Sequence, residues 1–164
     1  MILVGLGSNL AAPGLQSSQD VLENAVKSLK MRGVSLLRCS SWFRSAPVPV
    51  SDQPWFLNGV AVVATDLAPQ RLLATLHEVE AEYSRVRSVR NASRTLDLDL
   101  LAYGARVIDE PEGLKLPHPR LAERAFVLEP LVEVAPDWRH PITGLTATEM
   151  LARLPAGQVV ERLS

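Results

Sequence analysis

From Arg94 to Leu101 the chain reads Arg-Thr-Leu-Asp-Leu-Asp-Leu-Leu, and this stretch constrains the fold more than any other. A strand turns its side chains to alternate faces, so Asp97 and Asp99 leave one face while Leu96, Leu98 and Leu100 leave the other. The leucines can anchor the strand in a core. The carboxylates then stand roughly 6.6 to 6.8 Å apart along the strand, from the rise per residue. A strand over Thr95–Tyr103 is therefore predicted, with one apolar and one acidic face.

The 164 residues fit one domain spanning 1–164. With 47% hydrophobic and 21% charged residues, the chain has the material for a core and is not predicted to be disordered. A net charge of -1 argues against a uniformly basic nucleic-acid binder. Of the 17 basic residues only Lys27, Lys30 and Lys115 are lysines, a bias that base composition alone could produce. The single cysteine, Cys39, permits no intrachain disulfide and no cysteine-type zinc site, and is expected to be a buried thiol. Met1–Leu6 lacks the charged start of a signal peptide, and no apolar run approaches a membrane span. Cytoplasmic location, without membrane or nucleic-acid partners, is the expectation.

Met1–Gly7 reads as a strand, with Gly5-x-Gly7-Ser8-Asn9 as a tight exit turn rather than a dinucleotide fingerprint, because the third glycine is missing. Leu15, Val21, Leu22, Ala25, Val26 and Leu29 recur at helical spacing, and Gly33 closes that helix. Val34–Arg44 and Trp55–Thr65 read as strands, separated by a loop holding Pro47, Pro49 and Pro54. Asp66 begins a second helix, with Pro69 in its first turn and Leu72, Leu73, Leu76, Val79 and Tyr83 facing inward. Arg120 and Arg124 fall on a helical turn, Thr146 and Glu149 have capping-box spacing, and Gln158–Leu163 forms a last short strand. This order predicts an α+β sandwich with a mainly antiparallel sheet and helices packed on it.

Paired carboxylates on one strand face suit Mg²⁺, which fills its remaining positions with water and substrate phosphates. Arg85, Arg87, Arg90 and Arg94 crowd the ten residues just before them, with no acid between Glu82 and Asp97. Guanidinium forks bind phosphate in bidentate fashion, and polyphosphate transfer needs both metal ligands and such clamps. His118 stands between Pro117 and Pro119, which fix its backbone. Phe56-Leu57-Asn58 puts a ring and an amide on one strand face, a means of gripping a flat heterocycle. His77 and His140, each considered alone, are read as structural.

Gly7-Ser8-Asn9, Asp52–Asn58, Arg85-Val86-Arg87, Arg94–Asp99, Pro117-His118, Arg124-Ala125-Phe126 and Leu128-x-Pro130-Leu131 together resemble the 6-hydroxymethyl-7,8-dihydropterin pyrophosphokinases over nearly the whole chain. The resemblance implies a ferredoxin-like monomer that moves the β,γ-pyrophosphoryl group of ATP to the pterin hydroxymethyl oxygen and releases AMP, a step of folate biosynthesis. It implies two Mg²⁺ ions held by Asp97 and Asp99, with Asp97 nearest the attacking hydroxyl. Arg85 and Arg94 correspond to the arginines that clamp the transferring phosphates. His118, Arg124, Arg87, Lys115 and His77 correspond to nucleotide contacts. Phe56 and Phe126 correspond to the rings that enclose the pterin, with Ser45, Asn58 and the backbone at Pro47 and Val48 as its polar contacts. Many members carry Trp-Gly-Pro where this chain has Asn91-Ala92-Ser93, which leaves Arg90 without a matched role.

Two other functions compete. A Mg²⁺-dependent nucleotidyltransferase also joins Gly-Ser to Asp-x-Asp, but normally close in sequence, whereas Ser8 and Asp97 lie far apart here. A ferredoxin-like RNA-binding module would want several aromatics on central strands and a basic face.

Overall fold

In the computed structural model, which describes residues 1–8, 18–46, 55–86 (84–86 by backbone alone) and 96–163, the predicted elements appear in order, with a short hairpin at 108–116 and a helix at 125–134 not predicted from the sequence. They are β1 (Ile2–Ser8), α1 (Ser18–Met31), β2 (Ser35–Cys39), β3 (Phe43–Ser45), β4 (Phe56–Ala64), α2 (Pro69–Val86), β5 (Asp97–Tyr103), β6 (Ile108–Asp109), β7 (Lys115–Leu116), α3 (Ala125–Val134), α4 (Ala147–Ala152) and β8 (Val160–Arg162). A 3-10 turn at Leu121–Glu123 precedes α3.

The main sheet runs β5-β1-β4-β3-β8, with β2 also paired to β4, and every pairing is antiparallel. β1-α1-β2 and β4-α2-β5 thus form two interleaved split βαβ units, the ferredoxin-like arrangement. Alternation along each strand divides the core in two. Val4, Leu6, Ala61, Val63, Leu98 and Leu100 pack against Leu22, Leu29, Leu72 and Leu76 of α1 and α2. On the opposite face Leu3, Val60, Val62 and Leu101 pack against Leu128 and Leu131 of α3 and Met150 of α4. Leu101 faces that second layer by simple alternation, and a register shift at Leu3/Val4 leaves it unpaired and brings Ala102 to the same face, opposite Leu3.

The local signals act as the sequence predicts at three helix ends. Gly33 closes α1 at φ 87°, while Val34 N–H donates to Leu29 at 3.0 Å. Pro69 opens α2. Thr146 and Glu149 complete the capping box at α4, each side chain taking the other's backbone N–H at 3.1 Å. Arg32 ties the helical layer together through Glu78 at 2.8 Å and through Glu82.

Three expectations change in the sheet. The strand predicted over Val34–Arg44 is two strands, because Ser40 anchors to Val60 through both its backbone N–H and its hydroxyl, and the chain bends there. Trp42 then packs over Gly59, where a Cβ would lie 2.6 Å from its ring. Cys39 is exposed rather than buried, since β2 lies at the sheet margin and pairs with β4 alone. Gly5 and Gly7 are not an exit turn: both lie inside β1, paired on either side.

Candidate active site

The register of three strands builds a floor. Gly7 lies between Asn58 on β4 and Asp97 on β5, and Gly5 lies between Val60 and Asp99. Residues opposed across a ladder point the same way, so Asn58, Asp97 and Asp99 share the face on which α3 packs. Helix α3 covers the far end of this face and leaves the near end open. The glycines add no side chain there, and a Cβ on Gly7 would lie 3.3 Å from Asn58 Oδ1. The result is a cleft of about 580 Å³ lined by Ser45, Phe56, Asn58, Asp97, Asp99 and Phe126, with Arg120, Glu123, Arg124 and Gln158 along its rim. That volume suits a small heterocycle and a nucleotide phosphate chain.

One end of the cleft is set up for a planar ligand. Asn58 is buried, and its Nδ2 donates to Ser45 Oγ at 2.7 Å. The amide is thereby oriented, leaving Oδ1 as the acceptor that borders Gly7. Phe56 from β4 and Phe126 from the first turn of α3 supply apolar ring faces beside it. The Arg124 guanidinium lies 5.3 Å from the Phe126 ring centroid, so this cation is held at the same rim.

The other end is acidic. β5 is an edge strand, and the outward N–H of Leu98, between the two aspartates, donates to Glu80 Oε2 of α2 at 2.9 Å. Burial pushes the Glu80 carboxyl above the usual carboxylate range; the Leu98 N–H opposes this and the Asp97 charge adds to it. Burial likewise pushes His118 down, against the pull of Asp99 and with the help of Arg124 and Arg120. His118 Nδ1 accepts from the Arg120 N–H at 3.2 Å, which leaves Nε2 as the protonated nitrogen of the neutral ring. Asp97 and Asp99 offer hard oxygen donors in a half-buried cleft, a donor set that fits Mg²⁺ shared with phosphate. Among the described residues no three His, Cys, Asp or Glu side chains gather to hold a metal alone, so any such ion would need oxygens from a ligand.

Of the residues singled out in the sequence, Ser45, Phe56, Asn58, Asp97, Asp99, Arg124 and Phe126 meet in the cleft, and His118 is near enough to feel the Asp99 charge. Lys115 stays on the β6–β7 hairpin, bound to Asp109 at 2.7 Å and to the Glu110 carbonyl at 2.9 Å. His77 lies on α2 within electrostatic reach of Glu80, outside the cleft lining. Arg85 falls in the last turn of α2, its side chain outside the described residues, as are Pro47, Val48, Arg87, Arg90 and Arg94. Sequence reasoning missed Glu80, Glu123 and Gln158 as neighbours of the site. Glu80 follows Leu76 by four on a clear helical stripe, so its approach to the sheet was legible in principle. Gln158 carried no signal.

A family model described as 7,8-dihydro-6-hydroxymethylpterin-pyrophosphokinase (HPPK) matches residues 3–136. The chain is 43% identical over 164 residues to the 2-amino-4-hydroxy-6-hydroxymethyldihydropteridine pyrophosphokinase of Pseudomonas aeruginosa, covering 99% of this chain and 96% of that protein. It is 39% identical over 153 residues to the protein of the same name from Synechocystis, covering 93% of this chain and 75% of that one. The folic acid synthesis protein fol1 of Pneumocystis carinii is 35% identical across 93% of this chain, which spans 20% of that longer protein. A solved structure of Plasmodium falciparum HPPK-DHPS A437G with SDX-DHP has the same fold at a TM-score of 0.75 and 13% identity, covering 93% of this chain and 45% of that one. With the family model spanning most of the sequence and full-length relatives sharing two residues in five, the chain belongs to the 7,8-dihydro-6-hydroxymethylpterin-pyrophosphokinase family.

Proposed function

We propose that the cleft on β1, β4 and β5 is where this chain transfers pyrophosphate from ATP to the hydroxymethyl group of 6-hydroxymethyl-7,8-dihydropterin, releasing AMP in folate synthesis. Family membership supports the reaction. The observation that carries the assignment to this cleft is the row Asn58–Gly7–Asp97, which sets an oriented amide and a carboxylate on one uncovered sheet face.

The pterin lies between Phe56 and Phe126, its donor edge facing Asn58 Oδ1 and Ser45, with backbone at Pro47 and Val48 completing the polar contacts. A flat ring between aromatic faces gains stacking and loses water, while its polar edge requires partners already oriented. The hydroxymethyl group then points along β5 toward Asp97, which accepts its hydrogen bond. The hydroxyl oxygen forms a bond to the β-phosphorus and gives up its proton by way of Asp97 to solvent, while the bond from that phosphorus to the α–β bridging oxygen breaks. AMP departs with the bridging electrons.

Asp97 and Asp99 would hold two Mg²⁺ ions, which neutralise charge between carboxylates and phosphates when bound. His118 Nε2 and Arg124 take nucleotide phosphate oxygens, with Arg87, Lys115 and His77 as further nucleotide contacts, while Arg85 and Arg94 clamp the transferring group. Such donors act by positioning and by stabilising charge. The protein acts as a monomeric single domain, 1–164, in the cytoplasm; no helix among the described residues is long and apolar enough to cross a membrane.

Incubating protein, ATP and Mg²⁺ with and without the hydroxymethyl-dihydropterin tests the reading. AMP should form only when the pterin is present. Pyrophosphate release without pterin would indicate a nucleotidyltransferase, and absence of nucleotide turnover would indicate a binding module.

A further inference from the structure

Gln158 stands apart from the other residues of the cleft rim. It lies in the C-terminal segment, beyond residues 3–136 that the family model matches, yet it reaches the cleft. Its Oε1 accepts from the Ala125 N–H at 2.8 Å, and its Nε2 donates to the Glu123 carbonyl at 2.9 Å. These two backbone groups flank Arg124, at the junction where the 3-10 turn ends and α3 begins. Arg124 has extended backbone, φ -113° and ψ 113°, and its side chain does not cap α3. Gln158 thus satisfies one first-turn amide of α3 from a distant part of the chain.

The same segment grips the opposite wall. Val159 accepts the Ala46 N–H at 3.3 Å, and Val160 pairs with Ser45 in the β3–β8 ladder. Ser45 in turn orients Asn58. Residues 158–160 therefore join the strand that carries Ser45 to the helix start that carries Phe126.

We propose that Gln158 is a positioning residue for the pterin substrate, fixing the start of α3 so that the Phe126 ring stays opposite Phe56. The inference rests on the pterin reading of this cleft. Ring placement is the property most exposed to the loss of Gln158. Phe126 follows Ala125 directly and has two side-chain torsions, so it cannot recover a shifted backbone. Arg124 has a long flexible stem and can follow its phosphate. Loss of the Gln158 bridge should therefore act on pterin affinity before it acts on ATP affinity or on the chemical step.

The test compares wild type with Gln158→Ala and Gln158→Glu, measuring pterin-dependent AMP formation and thermal unfolding. Gln158 is exposed, so both variants should fold. In Gln158→Ala the KM for the pterin should rise about fivefold, the effect of one ordinary hydrogen bond, with kcat and the KM for ATP within about twofold of wild type. Gln158→Glu keeps the acceptor for Ala125 but sets a carboxylate oxygen against the Glu123 carbonyl, so its pterin KM should rise at least as much as in Gln158→Ala. An unchanged pterin KM in Gln158→Ala would overturn the inference and leave the pterin reading intact. So would a fall in kcat alone, which would mean a smaller folded fraction. A wild type without pterin-dependent AMP formation would overturn the reading and the inference together.

Discussion

Removing the hydroxyl of Ser45 should disturb the pterin end of the cleft both directly and through its bond to Asn58. Ser45 and Asn58 are 3% and 6% exposed, and the amide of Asn58 donates to Ser45 at 2.7 Å. In Ser45→Ala the donor stays buried without that acceptor. A buried polar group left unpaired costs about 1–3 kcal/mol. For a chain of this size each kcal/mol lowers Tm by about 2–4 °C. The amide also loses the bond that fixes which of its ends faces Gly7. Rotation would present an N–H₂ group where the pterin edge needs an acceptor, and one lost hydrogen bond of about 1 kcal/mol raises the pterin KM about fivefold. The assay is AMP formation against pterin concentration at saturating ATP, alongside thermal unfolding. A double-mutant cycle with Asn58→Ala sharpens it. Because Ser45 acts in part through Asn58, the double variant should lose less pterin affinity than the sum of the two single losses. Additive losses, or a folded Ser45→Ala with wild-type pterin affinity, would refute this reasoning.

Other outcomes follow from the same geometry. Asp97→Ala and Asp99→Ala should each lower turnover by about 10²–10³-fold at limiting Mg²⁺ while thermal unfolding is preserved, since both carboxylates are half-exposed; near-normal turnover in a folded double variant would remove them from the chemistry. Gly59→Ala places a Cβ 2.6 Å from Trp42 and should cost about 1–3 kcal/mol in urea unfolding; an unchanged midpoint would mean that Trp42 yields freely. His140 is buried, its Nδ1 accepts from Ile142 at 3.2 Å and Thr143 at 3.3 Å, and burial pushes its pKa below 6.5. The unfolded chain therefore binds the proton more readily, so its contribution is full above pH 6.5 and is lost as pH falls through the lowered folded value. His118 contributes with the same sign. Tm between pH 5 and 7 should consequently fall less steeply in His140→Asn than in wild type, and equal slopes would contradict the assignment.

The acidic strand was legible because a period of two leaves little freedom: Leu98 and Leu100 had to enter the core, which fixed the face of Asp97 and Asp99. The capping box was legible for a similar reason, since four residues contain the whole signal. Helix α3 was harder, because Pro130 interrupts its interior and its polar rim is short. Glycine misled where local sequence resembled a turn. Gly5 and Gly7 serve instead as clearance between two neighbouring strands, a role that depends on partners about fifty and ninety residues away. Cys39 misled because its apolar neighbours predict burial, whereas exposure depends on where β2 falls in the sheet. Gln158 shows the limit most clearly: a hydrogen bond across 33 residues of sequence leaves no periodicity to read.

The most direct test of the central claim follows the phosphates themselves. With ATP labelled in separate experiments at the α- and γ-phosphorus, the protein, Mg²⁺ and the hydroxymethyl-dihydropterin should place the α label in AMP and the γ label on the pterin, in equal amounts. Label released as free pyrophosphate, or α label appearing in ADP, would contradict transfer of the intact β,γ unit in this cleft.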